Sequence, residues 1–184
     1  MAKLTPFRAL RPTPLGAPLV SSAPYDVVNT EEARALAGED PLSSLNVTRS
    51  EIDLPAGTDP HSVAVYALAR TNLEALRRAA PLEAEAEPAL YLYRLRMGDH
   101  VQTGVAGTWS VEEYEKDLIK KHEKTRRDKE DDRTHHMCEL RAQTGKVLLT
   151  YQASVKINEI VARVVPGEPL LDFSASAGLL HTVW

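Results

Sequence analysis

A polar segment between Ile119 and Met137 contains the residues of this sequence best suited to chemistry. It holds no apolar residue, whereas a helix of a globular domain normally carries an apolar stripe that recurs every three to four residues. Basic and imidazole side chains recur in it at steps of four, three, four and three, namely His122, Arg126, Lys129, Arg133 and His136. At about 100° per residue these side chains would share one face of a helix. A face of this kind could bind an anion such as a phosphate or a carboxylate.

The same segment also fits a solvated helix that is held by its own charges. Opposite charges recur at i, i+4 in the pairs Glu123–Arg127, Arg126–Glu130 and Arg127–Asp131. Each such pair stabilises a helix by about 0.2–0.5 kcal/mol. Helices laced by ion pairs are common on protein surfaces and need no ligand. The spacing alone leaves both interpretations open.

Two further groups of residues could form a site. Tyr25 and Asp26 lie between a proline and two valines and could face a pocket, although an aspartate in that position also stabilises a simple turn. His135, His136 and Cys138 are metal-ligand types, but a structural zinc site normally draws a second ligand pair from elsewhere, and no second cysteine exists. The sequence therefore predicts no metal centre. It also lacks a Walker lysine loop and a G-x-G-x-x-G motif.

Composition limits the class of protein. The 184 residues suit one domain, or one and a half. Their net charge of −4 disfavours general nucleic-acid binding. A single cysteine excludes a disulfide framework and is typical of a reducing compartment. The first residues lack the apolar run of a signal peptide, and no stretch is long and apolar enough to span a bilayer. We expect a cytoplasmic protein without membrane contact, and the sequence does not indicate its oligomeric state.

Hairpins with interspersed helices predict an α+β fold with a mixed or antiparallel sheet. We expect residues 1–184 to be the N-terminal domain of a longer protein, with a proline-rich extended arm over 1–24. Helices are predicted over 31–37 and 59–79 and after Ser110 and Ser154. Strands are predicted over 45–49, 90–97, 100–109, 146–151, 170–173 and 179–184. Whether 111–144 forms one helix or two is left open.

Several strings occur in an order that resembles a known family. They are Pro6–Pro12, Pro24–Val28, Glu51–Pro55, the long string Lys121–Arg133 with His136, and His181–Trp184. Together they cover nearly the whole chain and resemble the N-terminal part of the prokaryotic family called domain of unknown function 1015. Longer members carry a later Asp-Gly-His-His-Arg segment, similar to a phosphate-handling motif of ParB-like proteins, which is absent here.

The basic residues and interleaved carboxylates of the polar segment, together with the ParB-like segment of the longer members, predict that the full-length protein binds a phosphorylated small molecule or a nucleotide, with kinase-like or phosphohydrolase chemistry. The phosphate-binding residues would be Arg126, Lys129, Arg133 and His136. The catalytic residues would be His122, Glu123 and Asp128, of which a carboxylate acts as a base or holds Mg²⁺. The alternative is a non-catalytic regulatory or protein-interaction module.

Overall fold

A computed structural model describes residues 2–79, 82–122, 124–175 and 178–184. It confirms the predicted α+β fold, with helices among antiparallel pairs of strands. The chain divides into two compact units, and each is assembled from separate stretches of sequence. Unit 1 comprises 1–14, 83–124 and 149–184, and unit 2 comprises 15–82 and 125–148. No helix in the described part of the chain is both long enough and apolar enough to cross a membrane.

Unit 1 is built around a sheet of four antiparallel strands in the order β5-β4-β8-β7. These strands are β4 (Tyr91–Met97), β5 (His100–Ala106), β7 (Leu171–Ser174) and β8 (Leu180–Val183). Gly98 adopts a positive φ of 57° in the two-residue turn that joins β4 to β5, which confirms the predicted hairpin. The final hairpin is confirmed as well, because β7 pairs with β8 in antiparallel fashion, from Leu171 opposite Val183 to Ser174 opposite Leu180.

Shorter elements complete unit 1. Strand β1 (Leu4–Thr5) pairs with β6 (Thr108–Trp109), and β2 (Leu10–Pro12) pairs with β3 (Leu82–Ala84). The unit also holds two helices, α5 (Val111–Glu115) and α7 (Val155–Val164). Ser110 accepts a hydrogen bond from the backbone of Glu113 and caps α5, as its spacing predicts.

Unit 2 is helical. Its elements are α1 (Ala17–Val20), α2 (Thr30–Ala37), α3 (Leu45–Thr48), a 3₁₀ helix (Ser50–Asp53), α4 (Val63–Ala79) and α6 (Arg127–Leu140). The largest helices, α4 and α6, pack against each other. Their shared core contains Val47, Ala69, Leu76 and Leu140. A second core joins α2 to α3 through Ala33, Ala37, Leu45 and Ile52.

Two local predictions are wrong. Residues 45–49 form a helical turn, which directs Leu45 and Val47 into different cores, where a strand would have put both on one face. Residues 146–151 pair with no strand in the described chain, so their β-forming side chains stay largely exposed. The predicted arm over 1–24 is extended at β1 and β2, and it also contains the helical turn α1.

Candidate functional site

The helix at the centre of the polar segment begins at Arg127, so the segment 111–144 contains the two helices α5 and α6. His122 lies before α6, in unit 1, and the helical spacing that joined it to the other basic residues therefore does not apply. Arg126 is the N-cap residue of α6 and has an extended backbone. Glu123 lies outside the described residues. Of the five basic and imidazole residues predicted to share one helical face, only Lys129, Arg133 and His136 lie within α6.

The first turn of α6 neutralises part of its own charge. The guanidinium of Arg126 donates to both carboxylate oxygens of Asp128, at 3.1 Å from Nε and 2.6 Å from Nη2. This hydrogen bonding lowers the pKa of Asp128 below its ordinary value, although both side chains are exposed. Asp128 also suits the positive end of the helix dipole. Its geometry is that of a helix-end carboxylate, which differs from the predicted role as a base or metal ligand.

The face that α6 buries is polar. Asp132, His136 and Leu140 are its buried residues, and they recur at steps of four. The buried stripe is therefore displaced from the predicted one, although both include His136. A carboxylate with only 9% of its surface exposed costs free energy unless hydrogen bonds compensate its lost hydration.

Asp132 receives those hydrogen bonds from three side chains. Its Oδ1 accepts from the Tyr66 hydroxyl at 2.8 Å and from His61 Nδ1 at 2.9 Å. Its Oδ2 accepts from Arg133, at 2.9 Å from Nε and 2.6 Å from Nη2. Four accepted bonds fill the roughly four lone-pair positions of a carboxylate. Asp132 is therefore an anchor for its neighbours, with no acceptor site left for a substrate.

The ionisation of this group follows from the same contacts. Burial raises the pKa of Asp132, but the hydrogen bonds from Arg133, Tyr66 and His61 outweigh it and hold that pKa below its ordinary value. Burial and the neighbouring carboxylate raise the pKa of Tyr66 to about 12. At neutral pH the pair is therefore an ionised carboxylate and a neutral phenol that donates to it.

Arg133 is held on two sides. Asp132 fixes one edge of its guanidinium, and the ring of Tyr25 lies against its face, with 4.3 Å between the guanidinium carbon and the ring centroid. A contact of this kind is worth about 0.5–2 kcal/mol. Nη1 of Arg133 makes no hydrogen bond within the described residues, and 27% of the side chain is exposed. The structure thus brings Tyr25 to Arg133, while Asp26 is exposed beside it.

His136 is placed differently from its predicted role as a phosphate ligand. It is buried with 4% of its surface exposed, and its Nε2 donates to the backbone carbonyl of Val47 at 3.0 Å. Burial lowers the pKa of His136, and the charge of Arg133 lowers it further. The imidazole is thus neutral and structural. Lys129, by contrast, is exposed one turn before Arg133.

Sequence reasoning missed His61 and Tyr66. The pair Asp59–Pro60 predicted a helix start, and Asp59 does accept a hydrogen bond from the backbone of His61 at 2.9 Å. That turn fixes the backbone of His61 just before α4, and Tyr66 follows on the buried side of the helix. The sequence signal for His61 was its position directly after the Asp59–Pro60 turn that starts the helix. We call Tyr25, His61, Tyr66, Asp132 and Arg133 the Asp132 cluster.

An open groove of about 500 Å³ lies between α4 and the C-terminal end of α6. Its basic residues are Arg70, Arg77 and Arg141, and Arg70 pairs with Glu139 at 2.7 Å. Arg77 and Arg141 stand at the C-terminal ends of their helices, where the helix dipole favours cations. None of the groove residues belongs to the Asp132 cluster; helix ends account for Arg77 and Arg141, and the ion pair with Glu139 accounts for Arg70.

A second buried carboxylate supports the fold of unit 2. Glu51 is 4% exposed, and its Oε1 lies 2.9 Å from Nε of Arg49 and accepts from the Thr30 hydroxyl at 3.3 Å. These contacts connect the start of α2 to the 3₁₀ helix. Among 2–79, 82–122, 124–175 and 178–184, no three His, Cys, Asp or Glu side chains are grouped so that they could hold a metal ion. The residues described therefore provide no evident Mg²⁺ site.

The geometry brings together strings that are distant in sequence. Tyr25 comes from Pro24–Val28, and Asp132 and Arg133 come from Lys121–Arg133. No curated protein matches the chain, and no solved structure matches it. A family described as "Protein of unknown function (DUF1015)" matches residues 4–184. Because that match spans nearly the whole sequence, the chain belongs to the DUF1015 family.

Proposed function

We propose that this chain binds a phosphorylated small molecule or a nucleotide at the Asp132 cluster, and that the full-length protein transfers or hydrolyses a phosphoryl group. The observation that carries this proposal is the anchored guanidinium of Arg133. It is fixed by Asp132 and Tyr25, yet it keeps Nη1 free of hydrogen bonds to the described residues. A planar guanidinium with unused donors suits phosphate oxygens.

Preorganisation is the reason to favour Arg133 over the other basic residues of α6. A guanidinium that is already fixed loses little conformational entropy when it binds an anion. Lys129 stands four residues earlier on the same helix, and side chains at that spacing are neighbours on a helix surface. Lys129 can therefore add a second positive charge. Arg126 pairs with Asp128 through the same two nitrogens, but its side chain is 72% exposed, against 27% for Arg133. Arg126 is therefore held less firmly and is less suited to this role.

Isothermal titration calorimetry of the full-length protein with ATP, ADP and pyrophosphate tests the proposal, each with and without Mg²⁺. We expect saturable heat with at least one of these ligands. Arg133→Gln should weaken that binding by about tenfold or more, because a charge-assisted hydrogen bond contributes about 1.5–3 kcal/mol. The matched variant Arg126→Gln should change the affinity by less than about threefold, because the Arg126 side chain is 72% exposed and its charge is screened by solvent.

Two results would remove the proposal. One is the absence of heat with all three ligands under both conditions. The other is binding that Arg133→Gln and Arg126→Gln weaken equally, because that would indicate only a general effect of net charge. Circular dichroism of both variants establishes that each is folded before its affinity is compared.

The second candidate is a non-catalytic role, either as a regulatory or protein-interaction module or as a structural part that only completes the fold. It is favoured by the pairing of cations with the chain's own acids, as in Arg126–Asp128 and Arg133–Asp132. In that case the polar helix completes the fold and the cluster contributes stability alone. The same calorimetry separates the candidates, because a structural cluster gives no saturable heat with any of the three phosphate ligands.

A further inference from the structure

We propose that His61 is the proton-transfer residue of this site and that Asp132 and Tyr66 position it, an inference that rests on the proposed function. The geometry begins with the carboxylate. Oδ1 of Asp132 lies 2.9 Å from His61 Nδ1 and is ionised, so it acts as the acceptor and Nδ1 carries the proton. In the neutral imidazole the lone pair then resides on Nε2.

Nε2 is accessible. Half of the His61 side chain is exposed, and Nε2 makes no hydrogen bond within the described part of the chain. The backbone of His61 is fixed by Asp59, and its ring is fixed by Asp132. An imidazole that is oriented through Nδ1 and open at Nε2 is the arrangement that proton transfer requires.

The hydroxyl of Tyr66 helps to hold the Asp132 carboxylate in one orientation towards His61. Its hydroxyl donates to the same Oδ1 that accepts from His61, at 2.8 Å. Oδ2 is occupied by Arg133, so the carboxylate cannot rotate without breaking bonds on both sides. One carboxylate therefore positions the anion-binding group and the proton-transfer group together. The charged and titratable groups around His61 are Asp59, Asp132, Tyr66 and Arg133.

The step uses a hydroxyl nucleophile, either water or an acceptor alcohol, and a phosphate ester or anhydride held by Arg133. Nε2 of His61 accepts the proton of the hydroxyl as its oxygen forms a bond to phosphorus. The bond between phosphorus and the leaving oxygen breaks, and the leaving group keeps that electron pair. The proton on Nε2 then passes to the leaving oxygen or to solvent. Asp132 stays ionised throughout and stabilises the transient imidazolium.

The first test is spectroscopic and needs no substrate. Long-range ¹H–¹⁵N correlation spectra of the histidine rings in the full-length protein report which nitrogen of His61 is protonated. We expect the Nδ1–H form for neutral His61 and a loss of that preference in Asp132→Asn. His100, which is exposed in unit 1, is the internal reference for an unconstrained imidazole. An Nε2–H form of His61 in the wild-type protein would overturn the proposal.

The second test measures turnover of ATP and pyrophosphate by phosphate release. His61→Asn keeps an N–H donor near the position of Nδ1 and removes Nε2, so its contact with Asp132 can persist. We expect kcat to fall about 100-fold or more, with KM little changed and the acidic limb of the pH–rate profile lost. His100→Asn is the matched control and should turn over like the wild type.

The two proposals fail in different ways. Calorimetric binding accompanied by equal turnover in wild type and His61→Asn would overturn the role of His61 and leave the proposed binding intact. Binding without any turnover by the wild type would do the same. If no phosphate ligand binds, the proposed function itself fails. His61→Gln is the second variant, to be used if His61→Asn unfolds the protein. The kcat of His61→Gln should fall similarly.

Discussion

The ring of Tyr25 lies against the guanidinium of Arg133, with 4.3 Å between the ring centroid and the guanidinium carbon. More than a hundred residues of sequence separate the two side chains. The contact fastens the loop before α2 to the first half of α6, within unit 2. It also leaves the guanidinium oriented without using the donors of Nη1, which is the property on which the proposed phosphate binding depends.

Removing the aromatic ring of Tyr25 should loosen Arg133. Tyr25→Leu is expected to lower the free energy of unfolding by about 1 kcal/mol, whereas Tyr25→Phe keeps a ring and should stay within about 0.5 kcal/mol of the wild type. Urea denaturation followed by circular dichroism measures both. Equal destabilisation by the two variants would show that the hydroxyl of Tyr25, and not its ring, is the important group.

Removing the hydroxyl of Tyr66 should make the free energy of unfolding depend less on pH in the acidic range. The pKa of Asp132 is lowered in the folded state, so its stabilisation is present above the ordinary aspartate pKa of about 3.9 and is lost as pH falls through the lower folded value. Tyr66→Phe should lower the free energy of unfolding by about 1–3 kcal/mol at pH 7. The difference from the wild type should shrink below about pH 4, because protonation neutralises Asp132 in both proteins.

Urea denaturation of wild type and Tyr66→Phe between pH 3 and pH 7 checks this expectation. Tyr151→Phe is the matched control, because Tyr151 is exposed and should show the wild-type stability at every pH. A Tyr66→Phe difference that is independent of pH would contradict the coupling between the phenol and the Asp132 carboxylate.

The buried imidazole of His136 should make stability depend on pH near neutrality. Its folded pKa is lowered by burial, and Arg133 opposes protonation while Asp132 favours it. The stabilisation is therefore fully present above the unfolded pKa of about 6.5 and declines as pH falls from there towards the lower folded value. His136→Gln should be less stable at pH 7.5 and should lack this decline. Urea denaturation curves between pH 5 and pH 8 measure the free energy of unfolding of both proteins. The same dependence on pH in wild type and His136→Gln would contradict the role of the His136 imidazole.

Two glycines of the β4–β5 region should differ in their tolerance of alanine. A Cβ at Gly107 would lie 2.5 Å from Cδ1 of Leu4 and 2.8 Å from Cδ2 of Leu90, whereas a Cβ at Gly104 would meet nothing within 4 Å. Gly107→Ala should cost about 1 kcal/mol because those leucines must move. Gly104→Ala should be neutral or stabilising by up to about 1 kcal/mol. Thermal denaturation compares them, and equal effects would show that the close approach at Gly107 is not the constraint.

The sequence predicted the features that depend on neighbouring residues. The glycine turn at Gly98 and the Ser110 cap of α5 were readable because each acts within a few residues. The burial of Asp132 was not readable, because it depends on Tyr66 and His61, which lie some seventy residues earlier. The same applies to the two units, each of which combines distant stretches of sequence.

Two errors have related causes. The alternation of Leu45 and Val47 is typical of a strand, but a helical turn places each of them in a separate core. The regular spacing from His122 to His136 assumed a continuous helix, whereas α6 begins only at Arg127. The alternation at 45–47 and the spacing of the basic residues are both present in the sequence. Long-range packing determined the conformation of the first, and the start of α6 at Arg127 limited the second.

NMR of the arginine Nε–H groups reports whether Arg133 binds a phosphate ligand. Pyrophosphate would be titrated into ¹⁵N-labelled full-length protein, with assignments from Arg133→Gln and Arg126→Gln. We expect a saturable shift of the Arg133 signal and a much smaller shift for Arg126, which is exposed and paired with Asp128. An unchanged Arg133 signal at saturating pyrophosphate, or equal unsaturated drifts of both signals, would contradict it.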